Sequence, residues 1–221
     1  MTQSQQGAQI NGDDVPERFG LYLVLTDPVA GYERCAEAAV KAEVRYLQLR
    51  MKAAPRAAVA AMALRLRAIT AGSSTRFIVN DDADVAAEVG ADGVHLGQGD
   101  ESLVAARKRY SGLAFFGLST HSEEQAEDAQ RVAPDYIGVG PVFLTPSKAQ
   151  PDPVLGLERA GRILKATPLT AVAIGGIDAQ NLPQVLAAGA TNFAVVRAVC
   201  AQADPYGAIC RLQALYRDSG L

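Results

Sequence analysis

The sequence predicts a single-domain α/β protein folded as a (β/α)8 barrel of the TIM type, and three observations predict it. Short apolar runs alternate with alanine-rich helical stretches about every 25 residues, the pattern of repeated strand-helix units and a parallel sheet. Eight such units fit in the 221 residues. The apolar runs are rich in Val, Ile and Leu without strict polar alternation, as expected of strands covered on both faces. A doubly wound sheet, the competing architecture, usually has fewer strands and a glycine-containing phosphate turn after the first. Here the first run ends Leu25-Thr26-Asp27-Pro28, with no glycine.

The elements follow in order. Strands are expected over 20–26, 44–49, 76–80, 93–97, 114–119, 136–141, 170–175 and 192–196. The helices between and after them are expected over 32–42, 55–70, 83–88, 103–110, 123–132, 157–165, 180–187 and 205–217. Pro55 stands near a helix start, where its missing N–H costs least. Ser122, Asp178 and Asp204 stand where N-caps are wanted, and Gly90 and Gly189 follow helix ends, where a left-handed residue is useful. The longest irregular segment, 142–155, carries Pro146, Pro151 and Pro153 and is expected to act as a mobile lid over the strand ends.

Composition bounds the function. A hydrophobic content of 49% supports one well-buried core, and no charge pattern divides the chain. A net charge of -3 without any Lys/Arg run argues against a nucleic-acid partner, so an anionic ligand is small and held locally. Cys35, Cys200 and Cys210 form no Cys-x-x-Cys pair and suit reduced thiols in the cytoplasm. Residues 1–16 are polar and are read as a disordered tail ahead of a catalytic domain over 17–221; they do not resemble a secretion signal. No apolar segment approaches the roughly 20 residues of a membrane span. A homo-oligomer is compatible with the sequence but not specified by it.

Several signatures are excluded by inspection. Gly97-Gln98-Gly99 and Gly138-Val139-Gly140 lack the third glycine of a dinucleotide turn, there is no Gly-Lys-Ser/Thr, and the segment from Gly117 to His121 fails the nucleophile-elbow pattern. Two aspartates stand out instead. Asp81 and Asp100 each follow a strand, and neighbouring barrel strands would bring their carboxylates together. Gln48, Arg50 and Lys52 alternate at the end of the second strand, so their polar groups share a direction, and Lys148 is expected at the same rim. Carboxylates and cations around one cavity suit a magnesium-bound diphosphate. Ordinary surface charge at 48–52, a helix N-terminus at 80–84 and metal-free acid-base work by paired carboxylates are the competing readings. Gly175-Gly176 and Val196-Arg197 occupy the loops where barrels often hold a phosphate against main-chain N–H groups. His95 reads as a hydrogen-bonded interior residue and His121 as either a loop residue or part of the site; with no spaced Cys or third His, zinc is disfavoured.

Taken together, the segments 48–52, 79–81, 91–100, 117–121, 135–143 and 173–177 resemble the thiamine-phosphate synthase family, over nearly all of 20–205. The resemblance implies a (β/α)8 transferase. Such an enzyme joins an aminopyrimidine diphosphate to a thiazole phosphate, giving thiamine phosphate and diphosphate. By position it assigns Gln48, Leu49, Arg50, Met51, Lys52, Asn80, Ser119 and Lys148 to the pyrimidine diphosphate, with Arg50, Lys52, Ser119 and Lys148 in the catalytic role. It assigns Asp81 and Asp100 to magnesium, and Thr145, Pro146, Ser147, Gly176, Val196 and Arg197 to the thiazole phosphate. Two departures are visible: the family usually carries serine where Arg197 stands, and its usual Thr-x-Thr-Lys becomes Thr145-Pro146-Ser147-Lys148. A thiazole tautomerase on the same barrel, and a phosphate-ligand sensor without turnover, are the alternatives.

Overall fold

Strands and helices alternate along the chain as β1 (Gly20–Leu25), α1 (Tyr32–Lys41), β2 (Tyr46–Leu49), α2 (Arg56–Thr70), β3 (Arg76–Asn80), α3 (Ala83–Glu88), β4 (Gly93–Leu96), α4 (Leu103–Arg109), β5 (Phe115–Thr120), α5 (Glu123–Val132), β6 (Tyr136–Val139), α6 (Gly156–Ala166), β7 (Ala171–Ile174), α7 (Leu182–Ala187), β8 (Asn192–Val195), α8 (Arg197–Cys200) and α9 (Pro205–Asp218). The structure is a computed structural model that describes residues 18–145 and 153–221. The expected tail over 1–16, and Pro146, Ser147 and Lys148 in the centre of the expected lid, lie outside the described residues.

All eight strands are parallel and pair in chain order, with β8 returning to β1, so the sheet closes on itself and has no edge. Successive side chains separate into two layers. Leu21, Leu23 and Leu25 of β1, Leu47 and Leu49 of β2, Phe77 and Val79 of β3, and Phe193 and Val195 of β8 pack outward against the helices. Tyr22, Val24, Tyr46, Ile78, Phe115, Tyr136, Val172 and Ala194 fill the lumen. Each fully buried side chain in the outer layer contributes roughly 1.5–3 kcal/mol of transfer free energy, which is what holds helices to barrel. Phe19, Tyr46 and Phe115 plug the bottom, with Phe19 and Tyr46 ring centroids 4.7 Å apart and Tyr46 and Phe115 6.0 Å apart. Higher in the lumen the inward positions become small or polar, as Gln48, Asn80, Ser119 and Gly138, and the barrel opens there.

Ser122 caps α5 by accepting from the Gln125 N–H at 3.1 Å, and Asp204 caps α9 by accepting from Gly207 at 3.0 Å. Gly90 and Gly189 take φ of 64° and 114° after their helices. Asp178 differs from expectation. Its carboxylate accepts from the Gln180 and Asn181 N–H groups at 2.8 and 3.1 Å, closing the turn ahead of α7, whose cap position is Asn181. The short α8, absent from the expected elements, follows β8 directly.

Candidate active site

A cavity of about 1420 Å³ occupies the C-terminal mouth of the barrel. One drug-sized ligand fills roughly 300–1,000 Å³, so this volume accommodates two small molecules side by side.

The β2 wall carries Gln48, Arg50, Met51 and Lys52. Strand alternation turns Gln48 inward, and turns the Leu49 side chain the other way, into the apolar layer under the helices. Leu49 can therefore reach a ligand only through its main chain. Burial pulls the Arg50 guanidinium below its usual pKa, and the neighbouring Asp81 and Asp27 carboxylates oppose that shift.

At the end of β3 the chain turns sharply. Asp81 adopts φ of 65°, a left-handed conformation that aspartate tolerates better than most residues, and its N–H donates to the His95 carbonyl at 2.8 Å. The turn divides the acidic run. Asp82 caps α3 through the Val85 N–H at 2.8 Å, Asp84 pairs with Arg109 at 3.2 Å, and Asp81 faces the cavity in an ion pair with Lys52. Burial raises the Asp81 pKa; Lys52 lowers it, and the neighbouring Asp100 carboxylate, by its charge and by accepting from protonated Asp81, raises it again. The two aspartates thus meet, but not from equivalent positions. Asp81 directly follows β3, whereas Asp100 lies four residues past Leu96 and is folded back by its Oδ2 accepting from the Gly97 N–H at 2.7 Å.

Asn80, His95, Ser119 and His121 continue the wall across β3, β4 and β5. His95 is the hydrogen-bonded interior residue expected, with Nε2 2.9 Å from Ser119 Oγ. The His121 Nδ1 lies 2.7 Å from the Gly140 carbonyl and its ring also lines the cavity.

The far side is built by Gly138, Gly140, Thr145, Gly175, Gly176, Val196 and Arg197. Gly175 and Gly176 take φ of 104° and 66°, and a β-carbon on either would stand 2.6 Å from Pro141 or from the Leu144 carbonyl. Only glycine lets this loop pass. Asn181 fixes it by donating to the Gly176 carbonyl at 2.8 Å. Arg197, exposed at the first turn of α8, lines the same sector.

Sequence reasoning missed several wall residues: Tyr22 and Tyr136 on the floor, and Asp27, Gln98, Asp178 and Gln202 at the rim. The two tyrosines were legible in principle, because they share inward parity with Val24 and Gly138. The rim residues sit on loops whose direction strand periodicity does not encode.

The fold and the site together define an enzyme of the (β/α)8 class, with its ligand cavity at the C-terminal face and carboxylates, cations and glycine main chain around it. Residues 21–199 match the family model described as thiamine monophosphate synthase. The chain is 45% identical over 197 residues to a thiamine-phosphate synthase of Gloeobacter violaceus, an alignment spanning 88% of this chain and 57% of that longer relative. It is 40% identical to the thiamine-phosphate synthase of Anaeromyxobacter dehalogenans, across 89% of this chain and 87% of the relative. A solved thiamine phosphate pyrophosphorylase from Pyrococcus furiosus superimposes with a TM-score of 0.82 at 31% identity, covering 91% of this chain and 96% of that one. The chain belongs to the thiamine monophosphate synthase family and is an enzyme of the transferase class. Among the described residues, no helix is long and apolar enough to cross a membrane.

Proposed function

We propose that this enzyme couples 4-amino-2-methyl-5-(diphosphooxymethyl)pyrimidine to a thiazole phosphate, yielding thiamine phosphate and diphosphate. The observation that carries the reading is the meeting of Asp81 and Asp100 beside Lys52 and Arg50, in a cavity large enough for two ligands. Gln48, Met51, Asn80 and Ser119 hold the pyrimidine diphosphate with Arg50, Lys52 and Lys148, and the main chain of Leu49 completes that strand end. Thr145, Pro146, Ser147, Gly176, Val196 and Arg197 surround the thiazole phosphate. Four of these residues, Arg50, Lys52, Ser119 and Lys148, serve catalysis.

Two neighbouring carboxyls repel one another once both are ionised, so the pair suits a hard cation. Among the described residues no group of three or more His, Cys, Asp or Glu side chains could hold a metal ion, so a magnesium ion at Asp81 and Asp100 would need further oxygen ligands from the diphosphate and water. Asp81 and Asp100 would hold magnesium, which would supply positive charge to the departing diphosphate.

The residues of the chain then act on a bond that breaks before its replacement forms. As the pyrimidine CH₂–O bond opens, its electron pair leaves with the diphosphate, where Arg50, Lys52 and Lys148 gain interaction energy relative to the ground state. The cationic pyrimidine methylene is then attacked by the thiazole nitrogen, and no protein nucleophile is needed. The walls exclude water from the cation, and the Gly176 loop with Arg197 holds the thiazole in line. The scattered thiols, two of them buried, support a cytoplasmic location.

The test is direct. Purified protein given both substrates and magnesium forms thiamine phosphate and releases diphosphate, read by chromatography and a phosphate assay. Absence of turnover at saturating substrate rejects the reading.

A further inference from the structure

Five side chains under the cavity make one continuous hydrogen-bonded path across the barrel lumen. Gln48 Nε2 donates to the Tyr22 hydroxyl at 2.9 Å, and the Tyr22 and Tyr136 hydroxyls are 2.8 Å apart. His95 Nδ1 lies 3.2 Å from the Tyr136 hydroxyl, and His95 Nε2 lies 2.9 Å from Ser119 Oγ. The path starts at the β2 wall and ends at the β5 wall, and both end groups face the ligand space. Its middle is buried, with Tyr22 and Tyr136 only 2% and 1% exposed. Burial pushes both phenols well up from their usual pKa and keeps them protonated. Gly117 makes the room, since a β-carbon there would overlap the Tyr136 phenol and the His95 ring.

Proton counting gives the path a direction. Each hydroxyl in it donates once, and a neutral imidazole has one N–H and one lone pair. With the Gln48 amide nitrogen toward Tyr22, Tyr22 donates to Tyr136 and Tyr136 donates to His95 Nδ1. The histidine is then the Nε2–H tautomer and donates to Ser119, whose own proton is left for the cavity. The same sense turns Gln48 Oε1 toward the ligand. Reversal requires both ends to exchange roles together, because a mixed arrangement leaves a buried hydroxyl unpaired.

We propose that Tyr22, Tyr136 and His95 are positioning residues that lock the two ends of the cavity into complementary roles: an acceptor at Gln48 for an amino group, and a donor at Ser119 for an anionic oxygen. The path thereby sets substrate specificity. A ring with a carbonyl in place of the amino group would reverse the whole path and turn the Ser119 lone pairs against the phosphate oxygen. This assignment of ligand ends rests on the aminopyrimidine diphosphate reading above.

Two measurements test it. Nitrogen-15 NMR of the protein without added ligand reports the His95 tautomer whatever the substrate is. The Nε2–H form is expected, and the Nδ1–H form overturns the proposal. The second is a double-mutant cycle of Gln48→Ala and Ser119→Ala on kcat/KM for the pyrimidine diphosphate, run in the wild type and in Tyr136→Phe. A shared ligand alone couples the two ends equally in both backgrounds, whereas the path adds coupling of about tenfold that vanishes with the Tyr136 hydroxyl. Equal coupling in the two backgrounds overturns the proposal. Thermal unfolding verifies the fold of Tyr136→Phe, and Tyr22→Phe serves as the background if that variant is unfolded. A wild-type protein with no turnover rejects the functional reading instead, and the tautomer still decides the path.

Discussion

Asp81 shows how much one residue's backbone can decide. Three aspartates within four positions look alike in sequence, and a left-handed turn at the first of them sends Asp82 to a helix cap, Asp84 to an ion pair and Asp81 to the cavity. The role of Asp81 was legible only through its partner Asp100, and the partner's own route, a fold-back onto the Gly97 N–H, was not, because strand spacing alone places it too far along the loop. Asp81→Ala and Asp100→Ala should each lower kcat/KM by about 100-fold or more while the melting temperature changes little, since both side chains stand at the rim. Near-wild-type rates across a magnesium titration would refute their metal role. Arg197 is one of the two departures from the family pattern, and it lines the cavity with the glycines of the far side. Arg197→Ser should raise the KM for the thiazole phosphate about tenfold through loss of a charge-assisted contact, with kcat little changed. An unchanged KM means that Arg197 does not touch that ligand.

Among the elements, the period-2 pattern and the cap residues carried most of the architecture. Strand existence and order agree with the sequence, and strand ends differ by one or two residues: Thr26, Gly97, Pro141, Gly175 and Val196 leave the ladder, β2 and β7 begin at Tyr46 and Ala171, and β5 is shifted to Phe115–Thr120. The same pattern was underused at the site: alternation within β2 already sends Leu49 away from the ligand when Gln48 and Arg50 face it. Helix α8 escaped notice because four residues hold barely one turn, too few for any periodic signal. Helix α9 is the opposite case, announced by Asp204 and Pro205 at its start. Asp204→Ala should reduce stability by about 1 kcal/mol in urea denaturation and leave kcat/KM unchanged, because Asp204 is not among the residues that line the cavity. A loss of activity without loss of stability would contradict that separation.

For the whole molecule, closure is the event that makes a cavity out of eight strands, and one buried side chain stitches the seam. Asn192 Oδ1 accepts from the Phe19 and Gly20 N–H groups at 2.7 and 3.1 Å, and its Nδ2 donates to the Ala171 carbonyl at 3.3 Å, so a single amide ties β8 to both neighbours. No sequence pattern flags it, since its role depends on the first and last strands meeting. Asn192→Ala should cost about 2–4 kcal/mol by orphaning buried main-chain groups, seen as a lower urea midpoint; a midpoint within error of wild type would show that the seam holds without it. The mouth formed by this closure is asymmetric. From β6 to β7 its lining includes Gly140, Gly175 and Gly176, which pass so near their neighbours that no larger residue fits, beside Thr145, Ile174 and Ile177, whereas from β2 to β5 it is bounded by side chains. Codon changes can trim or pad the side-chain positions but not these three glycines. Laboratory evolution toward altered ring substituents therefore has most room on the β2 to β5 arc, with the three glycines as its fixed template.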